Sequence, residues 1–433
     1  MRQTYFRIMM RMLALIAMTL ILNYSSWGQV KYKTLYQFTG GADGSGPMGG
    51  VVFDQAGNLY GTTAYGGNVG GWFCEPVGCG VAYKLAPGRK GKWTQSVLYT
   101  FCLDDCADQQ SNPLAGLIID QAGNLYGTSS GGYGYWAGTV FMLAPTAQGG
   151  SAESTLYGFC ANGQWPCPDG LLPEDSLTFD QAGNIYGTTT AGGNYEGGCD
   201  GGCGVVFKLA PNSNGGWTDT SPYSFCSLPN CADGYAPSSG VTFDTAGNLY
   251  GTTPAGGASG QGIVFELTPN ADGSWTQTVL YNFTGGKDGG SPSGNLIFDA
   301  AGNLYGSAST GGTYGGGTLF ELSRKTNGVW RPKMLHEFTG GKDGSAPSWG
   351  VTFDKVGNLY GTANGGGAGG YGVVFKMTPT AKGGWNFQVL YAFTDNPGAS
   401  PLSTLVFDAS GNLYGTTYGD GSKTFGSVFE IIP

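Results

Sequence analysis

Residues 53–61 read FDQAGNLYG, and this nonapeptide decides the fold because variants of it occur seven times along the chain. It returns around Asp120, Asp180, Asp244, Asp299, Asp354 and Asp408, at spacings of 66, 60, 64, 55, 55 and 54 residues counted from Asp54. A proline stands seven residues before every one of these aspartates: Pro47, Pro113, Pro173, Pro237, Pro292, Pro347 and Pro401. A period of this size held in register marks a repeat architecture. Within each unit four strands are expected. Strand a is the short apolar run ending at the aspartate (Gly50 to Phe53), and strand b is the Leu-Tyr-Gly-Thr segment (Asn58 to Thr63). Strand c is the Val-Val-Phe type (Val205 to Leu209), where alternate residues share a face, and strand d is the Leu-Tyr-x-Phe type (Val279 to Phe283). Four antiparallel strands at this period describe a propeller blade.

The two ends of the chain bear on closure. Strand c from Val428 to Ile432 has no strand d after it, whereas the segment Thr34 to Phe38 reads as a strand d with no unit of its own. Pairing them completes a seventh blade and removes the exposed edges an open array would carry. The expected fold is therefore all-β: a closed seven-bladed β-propeller of four-stranded antiparallel blades, sealed by the N-terminal strand d against C-terminal strands a to c. Composition agrees. Of 433 residues 82 are Gly, only 11% are charged and 13% are aromatic, which suits short aromatic-rich strands joined by glycine turns and excludes a disordered, charge-dense chain.

Ahead of the repeats, Arg2, Arg7 and Arg11 precede an apolar run from Met12 to Leu22 and then small and polar residues. Residues 1–28 read as a signal peptide, with a retained anchor as the alternative, and residues 29–433 as a single propeller domain. Loss of the three arginines takes the net charge from -9 to -12. Such a field repels a phosphate backbone, so nucleic acid is not expected as a partner.

The FDxAGNLYGTTxxGG core, the following VFxLxP, the Trp and the LYxFTGGxDGxxP run resemble the GloVer tandem-repeat family of bacterial exported proteins, over nearly the whole stretch from Tyr32 to Pro433. That resemblance implies export and a repeat architecture and brings no activity with it. A more distant similarity to NHL-type propeller repeats rests on the Asp-x-x-Gly-Asn-hydrophobic-Tyr pattern and bears on fold only.

Ten cysteines form five close pairs: Cys74 with Cys79, Cys102 with Cys106, Cys160 with Cys167, Cys199 with Cys203, and Cys226 with Cys231. All lie in the three long units, so insertions and cysteines arrive together. In an exported chain these are expected to be disulfides pinning inserted loops. Zinc would need converging ligands, and the only histidine, His336, stands where most sister strands carry Tyr. The Gly127-Thr128-Ser129-Ser130-Gly131 match to a nucleophile elbow falls on a strand b with no helix after it, and reads as chance.

The turn aspartates are expected to accept backbone amides, and the seven Tyr of the nonapeptides and the Trp residues leading strand d to pack between blades. Asp-Gly turns at Asp43, Asp169, Asp233, Asp288 and Asp343, with looser counterparts at Asp108 and Asp395, form a candidate ring for calcium or another hard cation. In a meander, the b-to-c and d-to-a connections open on one face and the uniform Ala-Gly-Asn turns on the other. The first face carries the cysteines and the aromatics Trp72, Phe73, Tyr133, Tyr135, Trp136, Trp165, Tyr195, Tyr235, Tyr314, Trp349, Tyr371 and Tyr418. Such loops suit an extracellular ligand, a polysaccharide or a protein, held by a monomeric secreted or surface-associated binding propeller. A carboxylate-based glycan lyase or hydrolase on the same face, or a purely structural repeat protein, is the alternative.

Overall fold

The computed structural model describes residues 30–67, 74, 77–102, 111–131, 137–147, 149–161, 166–195, 198–199, 201–326, 328–394, 398–419 and 424–433. Residues 1–28, the expected signal peptide, lie outside them. Among the described residues seven four-stranded antiparallel sheets form, each in the order a, b, c, d. Blade 1 consists of Val52–Phe53, Leu59–Thr63, Val81–Pro87 and Trp93–Thr100. In blade 7 strands Val406–Phe407, Leu413–Thr417 and Ser427–Ile432 are joined by the N-terminal strand Lys31–Gln37, in a register running from Lys31 opposite Ile432 to Gln37 opposite Ser427. The ring closes as the orphan strand implied. Strand d begins earlier than its apolar residues suggest: in blade 4 it starts at Trp275, which pairs with Pro269 across the c-to-d turn, and Phe283 lies just past its end.

Two aromatic ladders join the blades. The Phe that follows each strand d is fully or almost fully buried and meets the central aromatic of strand c in the next blade edge to face, with ring centres 5.0 to 5.5 Å apart at all seven junctions, from Phe38 on Tyr83 to Phe393 on Phe429. At six junctions the Tyr of strand b meets the Phe ending strand a of the next blade in the same way, as Tyr250 does with Phe298. Blade 2 ends its strand a on Ile119, so the corresponding partner of Tyr60 is aliphatic.

The same Tyr is anchored by its turn. Asp244 Oδ1 accepts the amides of Ala246 and Asn248, while Oδ2 accepts the Asn248 side-chain amide at 2.8 Å and the Tyr250 hydroxyl at 3.1 Å. Every nonapeptide repeats this arrangement, from Asp54 to Asp408. One carboxylate thus fixes both the turn and the ring that packs on the neighbouring blade. Burial pushes the Asp244 carboxyl up, but these donors outweigh it and hold the group below the usual carboxylate range.

Near the axis, threonines of strand b stitch the innermost strands together. Thr62, Thr128, Thr188, Thr362 and Thr416 donate to the carbonyls of Ala115, Asp175, Ser239, Ser403 and Gly49 in the following blade. The last of these spans the seam between blades 7 and 1.

Candidate functional site

The face expected to carry function is built from loops that bind each other. In five blades a bridge joins the d-to-a loop to the b-to-c loop: Ser45 to Tyr65, Ser111 to Gly131, Leu171 to Ala191, Tyr235 to Ala255 and Ser345 to Gly365. Disulfides Cys74–Cys79, Cys160–Cys167, Cys199–Cys203 and Cys226–Cys231 staple these same loops. Cys102 is also disulfide-bonded, and its expected partner Cys106 lies outside the described residues. In blade 3 the b-to-c and d-to-a staples touch, since the sulfurs of Cys199, Cys203, Cys226 and Cys231 all lie within 4.8 Å of one another. Cys74, Cys79 and Cys102 converge likewise in blade 1. That contact places the two connection types on one face, as the meander requires.

The Asp-Gly aspartates are each engaged inside their own loop. Asp43 Oδ2 accepts the Tyr36 hydroxyl at 2.8 Å and the Thr39 amide at 2.9 Å, and Asp288 binds Tyr281 and Thr284 in the same way. Tyr157 and Tyr223 serve Asp169 and Asp233. At Asp343 the partner is His336, whose Nε2 lies 3.1 Å away while its ring stacks on Phe387. Burial lowers the basicity of that imidazole, and Asp343 works against the shift. Asp108 and Asp395 lie outside the described residues. Among the described residues no three carboxylates gather within 4.8 Å.

Of the aromatic candidates, Trp72, Phe73, Tyr133, Tyr135, Trp136 and Trp165 lie outside the described residues. The Tyr195 hydroxyl accepts the Cys167 amide at 3.3 Å and so holds a stapled loop, while Tyr235 packs beside the paired staples of blade 3. Tyr314 and Tyr371 are exposed. Trp349 lines the axis instead of the loop rim.

Two acids that the sequence reading did not single out stand apart electrostatically. Asp219 occupies the position where sister strands carry Gln95 and Gln277, whose side chains donate to the backbone carbonyls of Asp43 and Asp233. A carboxylate cannot donate, and Asp219 Oδ1 is buried without a partner. Burial first, and the charge of Asp169 second, push its carboxyl up to about 7. The sign follows from a raised folded-state value: between the unfolded value near 3.8 and about 7 the unfolded chain releases a proton that the folded chain keeps, so stability falls as pH rises through that window. Asp219→Gln restores the amide donor and is expected to raise unfolding free energy at neutral pH by about 2 kcal/mol, a figure reduced for partial solvent screening. Denaturant titrations across the window check this. An unchanged pH slope in the variant would refute it.

The second acid is Asp175. In six of the seven units a residue two or three places after the proline lines a cavity of about 130 Å³ at the propeller axis. Sister units put Gly49, Ala115, Ser239, Gly294, Trp349 and Ser403 two places on, and only blade 3 puts a charge there. Asp175 is buried at 7% exposure and receives the Ser176 amide. Burial pushes its carboxyl up to about 7 against the amides of Ser176 and Gly240. Asn295 Oδ1 is buried with no partner beside Gly240. Trp349, Asn295 and Asp175 line the same space.

Comparison with known proteins places the repeat. The chain matches the Gloeobacter/Verrucomicrobia repeat over residues 21–199, 71–297 and 271–433. It is similar to the crystal structure of a luciferin-regenerating enzyme at 13% identity, over 93% of this chain and 95% of that one, with a TM-score of 0.45. It is also similar to a putative oxidoreductase (glucose dehydrogenase) from Thermus thermophilus at 14% identity, over 93% of this chain and all of that one, again at 0.45. Likeness at that level says nothing about what this chain does. No curated protein matches it.

Proposed function

The chain belongs to the Gloeobacter/Verrucomicrobia repeat family, and from that premise we propose that it is an exported binding propeller that holds an extracellular glycan on its stapled face. The observation that carries the reading is the bridging of b-to-c to d-to-a loops on one face, each loop further stapled by its own local disulfide, while the other face repeats a single turn seven times. Rigid, variable loops on a uniform scaffold are where recognition residues concentrate. The disulfides suit an oxidising compartment, and among the described residues no helix is long and apolar enough to cross a membrane. Aromatic side chains on these loops, Trp72 and Trp136 foremost, suit the apolar faces of sugar rings.

A glycan array with the mature oxidised protein tests this, and a double variant Trp72→Ala, Trp136→Ala is expected to lose the bound glycan. An array without hits, or a double variant that binds unchanged, would refute it. The coupling of Asp219 to Asp169 favours a second reading, hydrolysis or elimination by an acid pair. New reducing ends from a bound polysaccharide, abolished by Asp219→Asn, would establish that reading over simple binding.

A further inference from the structure

We propose that the axial cavity binds a small organic ammonium ion, with Asp175 as its counter-charge and Trp349 lining the same space. This site is separate from the stapled loops, so its failure leaves the glycan reading standing, and the converse also holds.

The sign of the ligand comes from the lining. Among the described residues no Lys, Arg or His borders the cavity, and the one ionisable group there is an acid. A concave site with a single carboxyl and no counter-ion favours a cation.

Metal ions fit less well. A hard cation takes six to eight oxygen ligands, and among the described residues Asp175 is the only carboxylate lining the space. A tryptophan and a carboxylate lining one space are instead the pairing that organic ammonium groups seek. Size agrees: about 130 Å³ is well below the roughly 300 Å³ at which pockets for drug-sized ligands begin, so a head group fits and a chain does not. Blade 3 alone supplies the acid and blade 6 alone the tryptophan at the same repeat position, where the other units carry Gly, Ala or Ser. Packing needs alone would have favoured those small residues here too.

Asp175 must ionise to serve. Burial and the neighbouring Glu174 both resist ionisation in the empty cavity, and Glu174 is itself pushed up by burial. A bound cation opposes both, so binding tightens as pH rises through the range where Asp175 loses its proton.

Isothermal titration of the mature oxidised protein with choline chloride and ethylammonium chloride tests the proposal, with 3,3-dimethylbutanol as the uncharged match for choline and calcium chloride as the metal arm. The expected result is saturable one-to-one binding of an ammonium ion, tighter at about pH 8 than at about pH 6, and weakened more than about tenfold in Asp175→Asn. Trp349→Ser is expected to weaken choline more than ethylammonium. No saturable ammonium binding at either pH would overturn the proposal. So would equal binding of dimethylbutanol, displacement of choline by calcium, or full affinity in Asp175→Asn. If Asp175→Asn fails to melt cooperatively, the pH series and the uncharged match on the parent protein still decide.

Discussion

Deletion of residues 30–38 is expected to abolish the cooperative fold of the whole ring. The segment contributes one strand of blade 7, but its side chains reach further. Leu35 and Phe38 are buried, Tyr32 stacks on Tyr391 of blade 6 at 4.0 Å, and Phe38 is the aromatic rung between blades 7 and 1. Removing an aliphatic and two large aromatic groups forfeits about 2 kcal/mol for each, on the order of 6 kcal/mol in all, against a total stability of roughly 5–15 kcal/mol. The loss also bares the edge of strand Ser427–Ile432, which invites pairing between molecules. Calorimetry and size exclusion of the truncated protein read the outcome: no cooperative melt, or aggregation. Adding residues 30–38 as a separate peptide is expected to restore the melt by strand addition. A truncated chain that melts cooperatively within a few degrees of the parent would show that the seam does not hold the ring.

Gly251→Ala is expected to destabilise the protein by about 3 kcal/mol although it adds one methyl group. A Cβ at this position would lie 2.5 Å from Cζ and 3.0 Å from Cε1 of Phe265. That ring cannot retreat, because it is fully buried and braced by Phe225 of the preceding blade. All seven strand-b glycines face the strand-c aromatic this way, and at Gly61 the opposing atom is the Tyr83 hydroxyl. Phe265→Leu alone should cost stability by leaving a gap, yet combined with Gly251→Ala it should recover part of the loss. Urea titrations of the two single variants and the double variant measure the coupling. Strictly additive losses would mean that the methyl clashes with something else.

Blade number, strand order and the seam could be read from the chain because each follows from a motif in fixed register. The nonapeptide sets strands a and b, the proline sets where strand a begins, and the orphan Thr34–Phe38 segment sets closure. Where strand d starts was harder to see, since the Trp-led half of that strand alternates polar and apolar residues weakly and is pinned by pairing with strand c.

Asp175 and Asp219 escaped notice for a different reason. In one unit each looks like ordinary variation between repeats. Only the closed ring sets Asp175 against Asn295 from two blades away, and only the neighbouring blade gives Asp219 its conflict with Asp169. One comparison within the sequence would have marked the first: Asp175 is the lone acid at a place where its counterparts carry Gly, Ala, Ser or Trp, whereas Asp219 shares its place with a second acid, Glu153 of blade 2, and with Gln in blades 1 and 4.

The seam also orders events in time. Lys33 and Glu430 meet across it 397 positions apart, so the first strand to leave a ribosome or a translocation pore finds its partner only when the last one emerges. Closing a loop of that length costs about 2 kcal/mol more in chain entropy than closing one repeat. Every other blade pairs strands from a single contiguous stretch and can form as it appears. The final blade therefore sets the pace of maturation, and the N-terminal strand spends the whole of synthesis as an unpaired edge open to capture by a chaperone or by another copy of the chain.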